Sequence, residues 1–360
     1  GPPAPPGGPA GLGGLPGRQG GGAAAGGPAG GRAGRVEAAS PAATAPAGDR
    51  DRGLIELLYG LADDELVIGH RASEWTGVAP HIEEDVAFSS IAQDEVGHAA
   101  LLYRLLADLG EGGGDPDRIA FGRPAGAFRN ATLVEQPNGD WAVETARHFL
   151  YSEYEAVLWA MLQRSPYPPL AEAAARIARE EAYHQAHFRH HVLQLARAGG
   201  EARARLERAL ARCTPLAAGL FEDGPAEDRA AYWRGGSLAE LAARWREGVA
   251  AWCQSLGLSL GLALDLSLGQ TWAPGPAARP GHRPGGAMPP APRAGETTAG
   301  GTAPPPEAPR TGGATEAPGA PGTHRDVQAL GGRWGRHTPA MEELLREMTS
   351  VYRLDPAASW

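Results

Sequence analysis

Two short stretches decide the fold: Glu95-Val-Gly-His98 and Glu181-Ala-Tyr-His184. In each, an acid and an imidazole stand three residues apart, which sets them side by side on one helix face. The neighbouring residues extend that face. Ile91, Glu95, His98, Leu102 and Leu105 line one stripe, and Ile177, Glu181, His184, Phe188 and His191 line another. Ionisable groups in an apolar stripe are costly to bury unless they pair or hold a metal. A lone Glu-x-x-His says little, since about one is expected by chance in a chain of this composition. Two copies, each central in a long apolar-faced segment, point to a metal-holding helical bundle. A carboxylate–imidazole set suits iron or manganese, where thiolates would suit zinc or copper.

Helical periodicity covers most of the remaining foldable sequence, and no segment shows sustained β alternation. We predict helices at about Asp51–Trp75, His81–Leu109, Trp141–Arg164, Leu170–Ala198 and Glu201–Leu220, and from Ser237 to about Leu268. A last helix is predicted at Pro339–Tyr352, capped by Thr338 with proline at its first position. Acidic residues after His81 suit the positive end of a helix dipole. The turn signal Gln136-Pro-Asn-Gly-Asp140 closes a loop of about thirty residues before the third helix. Four long helices in two hairpins with one longer crossover describe an all-α, ferritin-like four-helix bundle, here with extra C-terminal helices. A helical solenoid would show repeats of fixed period, and none is found.

A di-iron bundle of this kind takes one further carboxylate from each of the other two helices. Glu65, flanked by Leu61 and Ile68, serves on the first. The third offers Ser152-Glu153-Tyr154-Glu155, and residues two apart point about 200° from each other on a helix. Glu153 and Glu155 therefore exclude one another; Glu153 is preferred, with Glu155 or no ligand as the alternatives. The predicted metal set is Glu65, Glu95, His98, Glu153, Glu181 and His184, for a di-iron centre that is filled, incomplete or empty. No residue is assigned a catalytic or other cofactor-binding role. His187, His190 and His191 are expected at the surface or in support of the ligands, and Tyr154 and Tyr183 in packing.

Composition sets the outer limits. Gly 52 and Pro 33 concentrate at 1–50 and about 272–325, where large apolar residues nearly vanish. Such stretches cannot bury enough surface to offset chain ordering, so both are expected to be disordered. The expected organisation is thus 1–50 disordered, 51–271 helical domain, 272–325 disordered insert, and 326–360 packing back on the bundle. The net charge of -9 argues against a nucleic-acid binder. All 33 basic residues are arginine, which excludes chemistry that needs a phosphate-binding or Schiff-base lysine. Cys213 and Cys253 are too few for a disulfide framework, and a reducing, cytoplasmic setting is expected. The apolar run at 255–268 is too short to cross a membrane and contains Asp265.

Three separated segments carry a family resemblance. Residues 62–103, with Asp64-Glu-Leu-Val-Ile-Gly69, Glu74-Trp75, Ala79-Pro80 and Ile91-Ala-Gln-Asp-Glu-Val-Gly-His98, resemble the phenylacetyl-CoA epoxidase A/C subunit family. Phe128-Arg-Asn-Ala-Thr-Leu-Val-Glu-Gln-Pro-Asn-Gly-Asp-Trp141 and the ending from Gly331-Gly-Arg-Trp-Gly-Arg-His-Thr-Pro339 to Trp360 are most similar to the C-type subunit. The resemblance covers about 51–222 and 327–360. It implies a place in a multicomponent oxygenase that epoxidises the ring of phenylacetyl-CoA in aerobic phenylacetate catabolism. It also implies a hetero-oligomer whose catalytic di-iron centre belongs to an A-type subunit, beside small accessory subunits and a reductase fed by NADPH. The C-type subunit is a related bundle that holds and stabilises the A-type subunit. Glu65, Glu95, His98, Glu181 and His184 match family ligand positions, but the helix-three carboxylate falls nearest Ser152, which puts a working centre in doubt. The rival readings are a bundle that activates oxygen itself and an iron protein of the ferritin or rubrerythrin type.

Overall fold

The computed structural model describes residues 47–258 and 330–356. Of the stretch expected to be disordered at 1–50, residues 1–46 lie outside them and 47–50 are instead the start of the first helix; the 272–325 stretch, the part of the sixth expected helix beyond 258, and the last four residues also lie outside. Among the described residues every regular element is helical. Four long helices carry the core: α1 (Ala47–Ser73), α2 (Ile82–Asp108), α5 (Trp141–Leu162) and α6 (Pro168–Ala198). The crossover holds two short helices, α3 (Pro116–Phe121) and α4 (Thr132–Glu135). After the bundle come α7 (Gly200–Leu216), α8 (Glu227–Arg234), α9 (Leu238–Ser255) and α10 (Pro339–Met348). α1 packs along α2 and α5 along α6, and the two hairpins close against each other through α2 and α6. This is the ferritin-like arrangement.

Local chemistry explains the boundaries. The Asp140 side chain accepts the backbone N–H groups of Ala142 (3.1 Å) and Val143 (3.0 Å), capping α5. α6 begins at Pro168, two residues earlier than expected, because proline is well placed in a first turn whose N–H groups have no intrahelical partner. Ser237 caps α9 by accepting from Glu240 N at 3.1 Å. Three expectations need correction. The crossover is not a bare loop, α8 was not foreseen, and α10 stops at Met348 rather than Tyr352. Thr338 occupies the cap position of α10, but its hydroxyl makes no cap. Its backbone N–H instead donates to Glu135 Oε1 at 2.6 Å.

The core fills all four interhelical seams. Leu58, Leu66, Ile68, Phe88, Leu102, Phe149, Trp159, Ile177 and Phe188 are fully or almost fully buried. Trp159 and Trp245 are completely buried. Trp245 also donates to Leu150 O at 3.0 Å, tying α9 to α5. Gly69 permits the closest approach of α1 to α2, since a Cβ there would stand 2.9 Å from Glu95 Cβ. Any larger residue would push these helices apart at the level of the acidic cluster.

The 128–141 and 331–339 segments form one unit with α1. Asp63 accepts Arg129 N at 2.7 Å, and Asp64 accepts Ala131 N at 2.7 Å. Arg333 donates to Asp64 Oδ2 (2.7 Å), Arg129 O (2.8 Å) and Gly60 O (3.2 Å). Glu135 gathers Asn130, His337 and the Thr338 N–H. Gly335 takes φ +74 against the Gly126 carbonyl, a position a side chain could not share. These two segments, remote from each other in the chain, are therefore one interlocked structural feature.

Candidate metal centre

Midway along the bundle, one side chain from α1, two from α2 and two from α6 turn inward together. Glu65, Glu95, His98 and Glu181 each place one ligating atom within 4.8 Å of the others, and all four are buried. His98 Nδ1 lies 3.3 Å from Glu65 Oε2, 3.3 Å from Glu181 Oε1 and 3.8 Å from Glu95 Oε2. His184 Nδ1 lies 3.1 Å from Glu181 Oε1 and 3.4 Å from Glu95 Oε1. Glu95 and Glu181 thus sit between the two imidazoles, with Glu65 on the His98 side.

α5 supplies a different carboxylate from the one expected. Glu153 points away from the cluster and pairs with Arg189 through Oε1 (2.5 Å) and Oε2 (2.8 Å). Glu155 is 1% exposed and contacts both Glu65 and Glu181. Its Oε1 accepts the Trp159 indole N–H at 3.2 Å. The two acids do exclude one another, as helix geometry requires, but the pairing partner on α6 turns the choice to Glu155. Ser152, buried at the outside of this turn, hydrogen-bonds Phe149 O at 3.2 Å. Tyr154 packs in the core as expected, whereas Tyr183 is 79% exposed.

Two acids that sequence reasoning passed over complete the geometry. Glu180 on α6 meets His98 Nε2 on α2 at 2.7 Å, and Asp94 on α2 meets His184 Nε2 on α6 at 3.3 Å. The exchange is reciprocal between the helices. Each acid directly precedes the glutamate of its own motif, so the signal was Asp-Glu-x-x-His and Glu-Glu-x-x-His. Both are about two-fifths exposed, so they separate the cluster from the outside.

The electrostatics are those of several acids crowded together out of water. Burial, then Glu95 and Glu181, hold the Glu65 carboxyl well above the usual range. Burial, then Glu181, Glu65 and Glu95, do the same to Glu155. Burial opposes charge on Glu95, but contacts with His184 and His98 outweigh it and lower its pKa. Burial likewise opposes charge on His98, yet Glu181 and Glu95 push it up to about 11. Glu95 Oε2, Glu155 Oε2, both Glu181 oxygens and His184 Nδ1 are buried with no hydrogen-bond partner. Such orphaned atoms are expensive unless something charged sits among them. Four carboxylates carry the charge of two divalent cations, and neutral imidazoles add donors without changing that balance. The residues present fit a two-metal carboxylate centre.

Comparison with known proteins agrees with this geometry. The sequence matches the family described as phenylacetic acid catabolic protein over residues 37–269, more than half of the chain. The chain belongs to that family. A relative in Escherichia coli K12, the C-type subunit of 1,2-phenylacetyl-CoA epoxidase, is 33% identical over 162 residues. The match covers 45% of this chain and 65% of the relative, a little under two thirds of its length. The A/C-subunit likeness read from the motifs is borne out, with a C-type protein as the relative. None of the described helices in this member of the family is long and apolar enough to cross a membrane.

A second group stands apart from the cluster. Glu84, His187 and His191 also place ligating atoms within 4.8 Å of one another. Burial holds the His187 and His191 imidazoles down to about 4, so both are neutral at ordinary pH. Of the three histidines of this stretch, His190 is exposed, with its Nε2 2.8 Å from Gln194 Nε2, whereas His187 is half-buried and His191 buried.

Proposed function

We propose that this chain is the C-type subunit of a multicomponent phenylacetyl-CoA epoxidase in aerobic phenylacetate degradation. In this reading it holds and stabilises a catalytic A-type oxygenase subunit, with a reductase and small accessory subunits completing a cytoplasmic complex. The observation that carries the reading is the 33% identity to a C-type epoxidase subunit within a shared family. The interlocked 128–141 and 331–339 segments support it, since the C-type likeness is strongest there.

The same reading assigns the central donors to a pair of iron ions. Glu65, Glu95, His98, Glu155, Glu181 and His184 would hold them. Iron there would supply the one-electron oxidation and reduction on which oxygen activation rests. The chain's own residues do the positioning. Glu180 and Asp94 fix the Nε2 edge of each imidazole, so the Nδ1 edges face inward. Tyr151 donates to Glu65 Oε1 at 3.5 Å, and Trp159 holds Glu155. Apolar residues above and below, among them Ile91, Leu102, Ile177 and Phe188, keep water from the donors.

The rival reading, in which the bundle itself activates oxygen, would use the inward Glu155 as its sixth donor, but the likeness to a C-type subunit does not favour it. One set of measurements separates them. The chain is expressed with an A-type subunit, purified, and assayed for iron and for ring epoxidation with reductase and NADPH. Stable co-purification with no activity from this chain alone is expected. Failure to associate, or epoxidation by this chain without the A-type subunit, refutes the C-type assignment.

A further inference from the structure

His187 and His191 stand four residues apart on α6 and face Glu84 in the first turn of α2. Glu84 Oε2 lies 2.9 Å from His191 Nε2 and 3.3 Å from His187 Nε2. Glu84 Oε2 and His187 Nε2 are nonetheless buried without a hydrogen-bond partner. The three donors crowd together without the bonding geometry that would account for it. Donor atoms about 2.0–2.2 Å from one ion, at angles of about 90–109°, lie roughly 3.0–3.5 Å apart. The 3.3 Å between Glu84 Oε2 and His187 Nε2 lies inside that spacing, and the 2.9 Å to His191 Nε2 lies just below it.

Aromatic rings hold the imidazoles in place. Phe188 and Phe88 pack edge-on to His187 at 5.0 and 6.3 Å, and Trp141 packs edge-on to His191 at 5.3 Å. Both histidines present Nε2 inward, and Glu84 adds an oxygen from the facing helix. Rings fixed by packing lose little freedom when they bind, which is the condition for a preformed site. Glu84 and His187 keep 18% and 22% of their side-chain surface, leaving an open side where water can complete the shell.

We propose that Glu84, His187 and His191 form a second metal site that takes one first-row divalent cation of the zinc type. It is separate from the carboxylate cluster and shares no ligand with it. Two imidazoles and one carboxylate with an open position form a zinc-competent set, whereas the carboxylate-rich cluster suits iron or manganese.

The test is equilibrium dialysis of the untagged full chain against Zn2+, with metal analysis and competition by a chelator. His187→Ala/His191→Ala is expected to bind one zinc fewer per chain than the wild type. Glu84→Gln is expected to weaken that same ion at least tenfold. Glu95→Gln/Glu181→Gln, which disables the central cluster, should retain it. An unchanged number and affinity in Glu84→Gln overturns the proposal, and that variant decides alone if the double histidine variant loses its helical circular dichroism. Loss of this zinc in folded Glu95→Gln/Glu181→Gln overturns the claim that the site is separate.

Discussion

Replacing Glu155 with Gln separates the metal-holding role of the cluster from its role in packing. Burial, then Glu181, Glu65 and Glu95, holds the Glu155 carboxyl well above the usual carboxylate range, which favours its neutral form when no metal is bound. Glutamine has nearly the same shape, is equally neutral, and still offers an oxygen to the Trp159 indole N–H. Without metal the change should therefore cost less than about 1 kcal/mol. With metal the balance differs, because three carboxylates leave one positive charge uncompensated in a fully buried site. We expect one of the two ions to bind about 100-fold more weakly. An ion present at a hundred times its Kd stabilises by about 2.7 kcal/mol, and each kcal/mol moves Tm by about 2–4 °C in a domain of this size. At that concentration an ion bound 100-fold more weakly still contributes about 0.4 kcal/mol, so the substitution removes about 2.3 kcal/mol, or about 5–9 °C, of the metal-induced rise. Melts followed by circular dichroism, in chelator and in anaerobic Fe2+, give the rise directly, and iron analysis gives the stoichiometry. Glu153→Gln is the control. Its Arg189 partner is one-third exposed, so the loss is at most about 1 kcal/mol, and the iron-induced rise stays intact. The reverse pattern, with Glu153→Gln abolishing the rise and Glu155→Gln keeping it, refutes the placement.

Three further outcomes follow from the same geometry. Asp94→Asn and Glu180→Gln free the outer edges of His184 and His98, and each should lower iron affinity about 10–100-fold with helical content unchanged. Arg333→Ala leaves Asp64 buried without its cation and should destabilise the fold by about 3–5 kcal/mol in urea unfolding; a loss under about 1 kcal/mol would falsify the view that the C-terminal segment is locked to α1. Burial raises the Glu222 carboxyl above its ordinary 4.5, so its contribution to stability is fully present below that value and is lost as pH rises through the folded pKa. Glu222→Gln should therefore gain in urea midpoint relative to wild type at pH 7 and lose that advantage near pH 4.5; an unchanged difference between the two pH values shows that the group does not titrate as described.

Much of the centre was legible along the chain. The two Glu-x-x-His repeats mark the inward faces of α2 and α6, because three-residue spacing and the apolar stripe around it are local properties of a helix. Glu65 could be placed for the same reason, as its apolar neighbours fix the buried side of α1. The helix-three donor could not. Periodicity shows that Glu153 and Glu155 diverge, but which of them turns inward depends on Arg189, a residue on another helix that draws Glu153 outward. Asp94 and Glu180 were visible as acids and invisible as partners, since each serves a histidine on the opposite helix.

What the sequence by itself determined is the helical class, the long rods and their inward faces, because propensity, period and capping act within a few residues along the chain. The tertiary structure alone decided that Glu155 joins the cluster, that acids and histidines are exchanged between α2 and α6, that Arg333 reaches Asp64 on α1, and that Glu84 meets His187 and His191. These are contacts between groups remote in the chain. Their energies exist only once packing brings the groups together and excludes the water that would otherwise screen them.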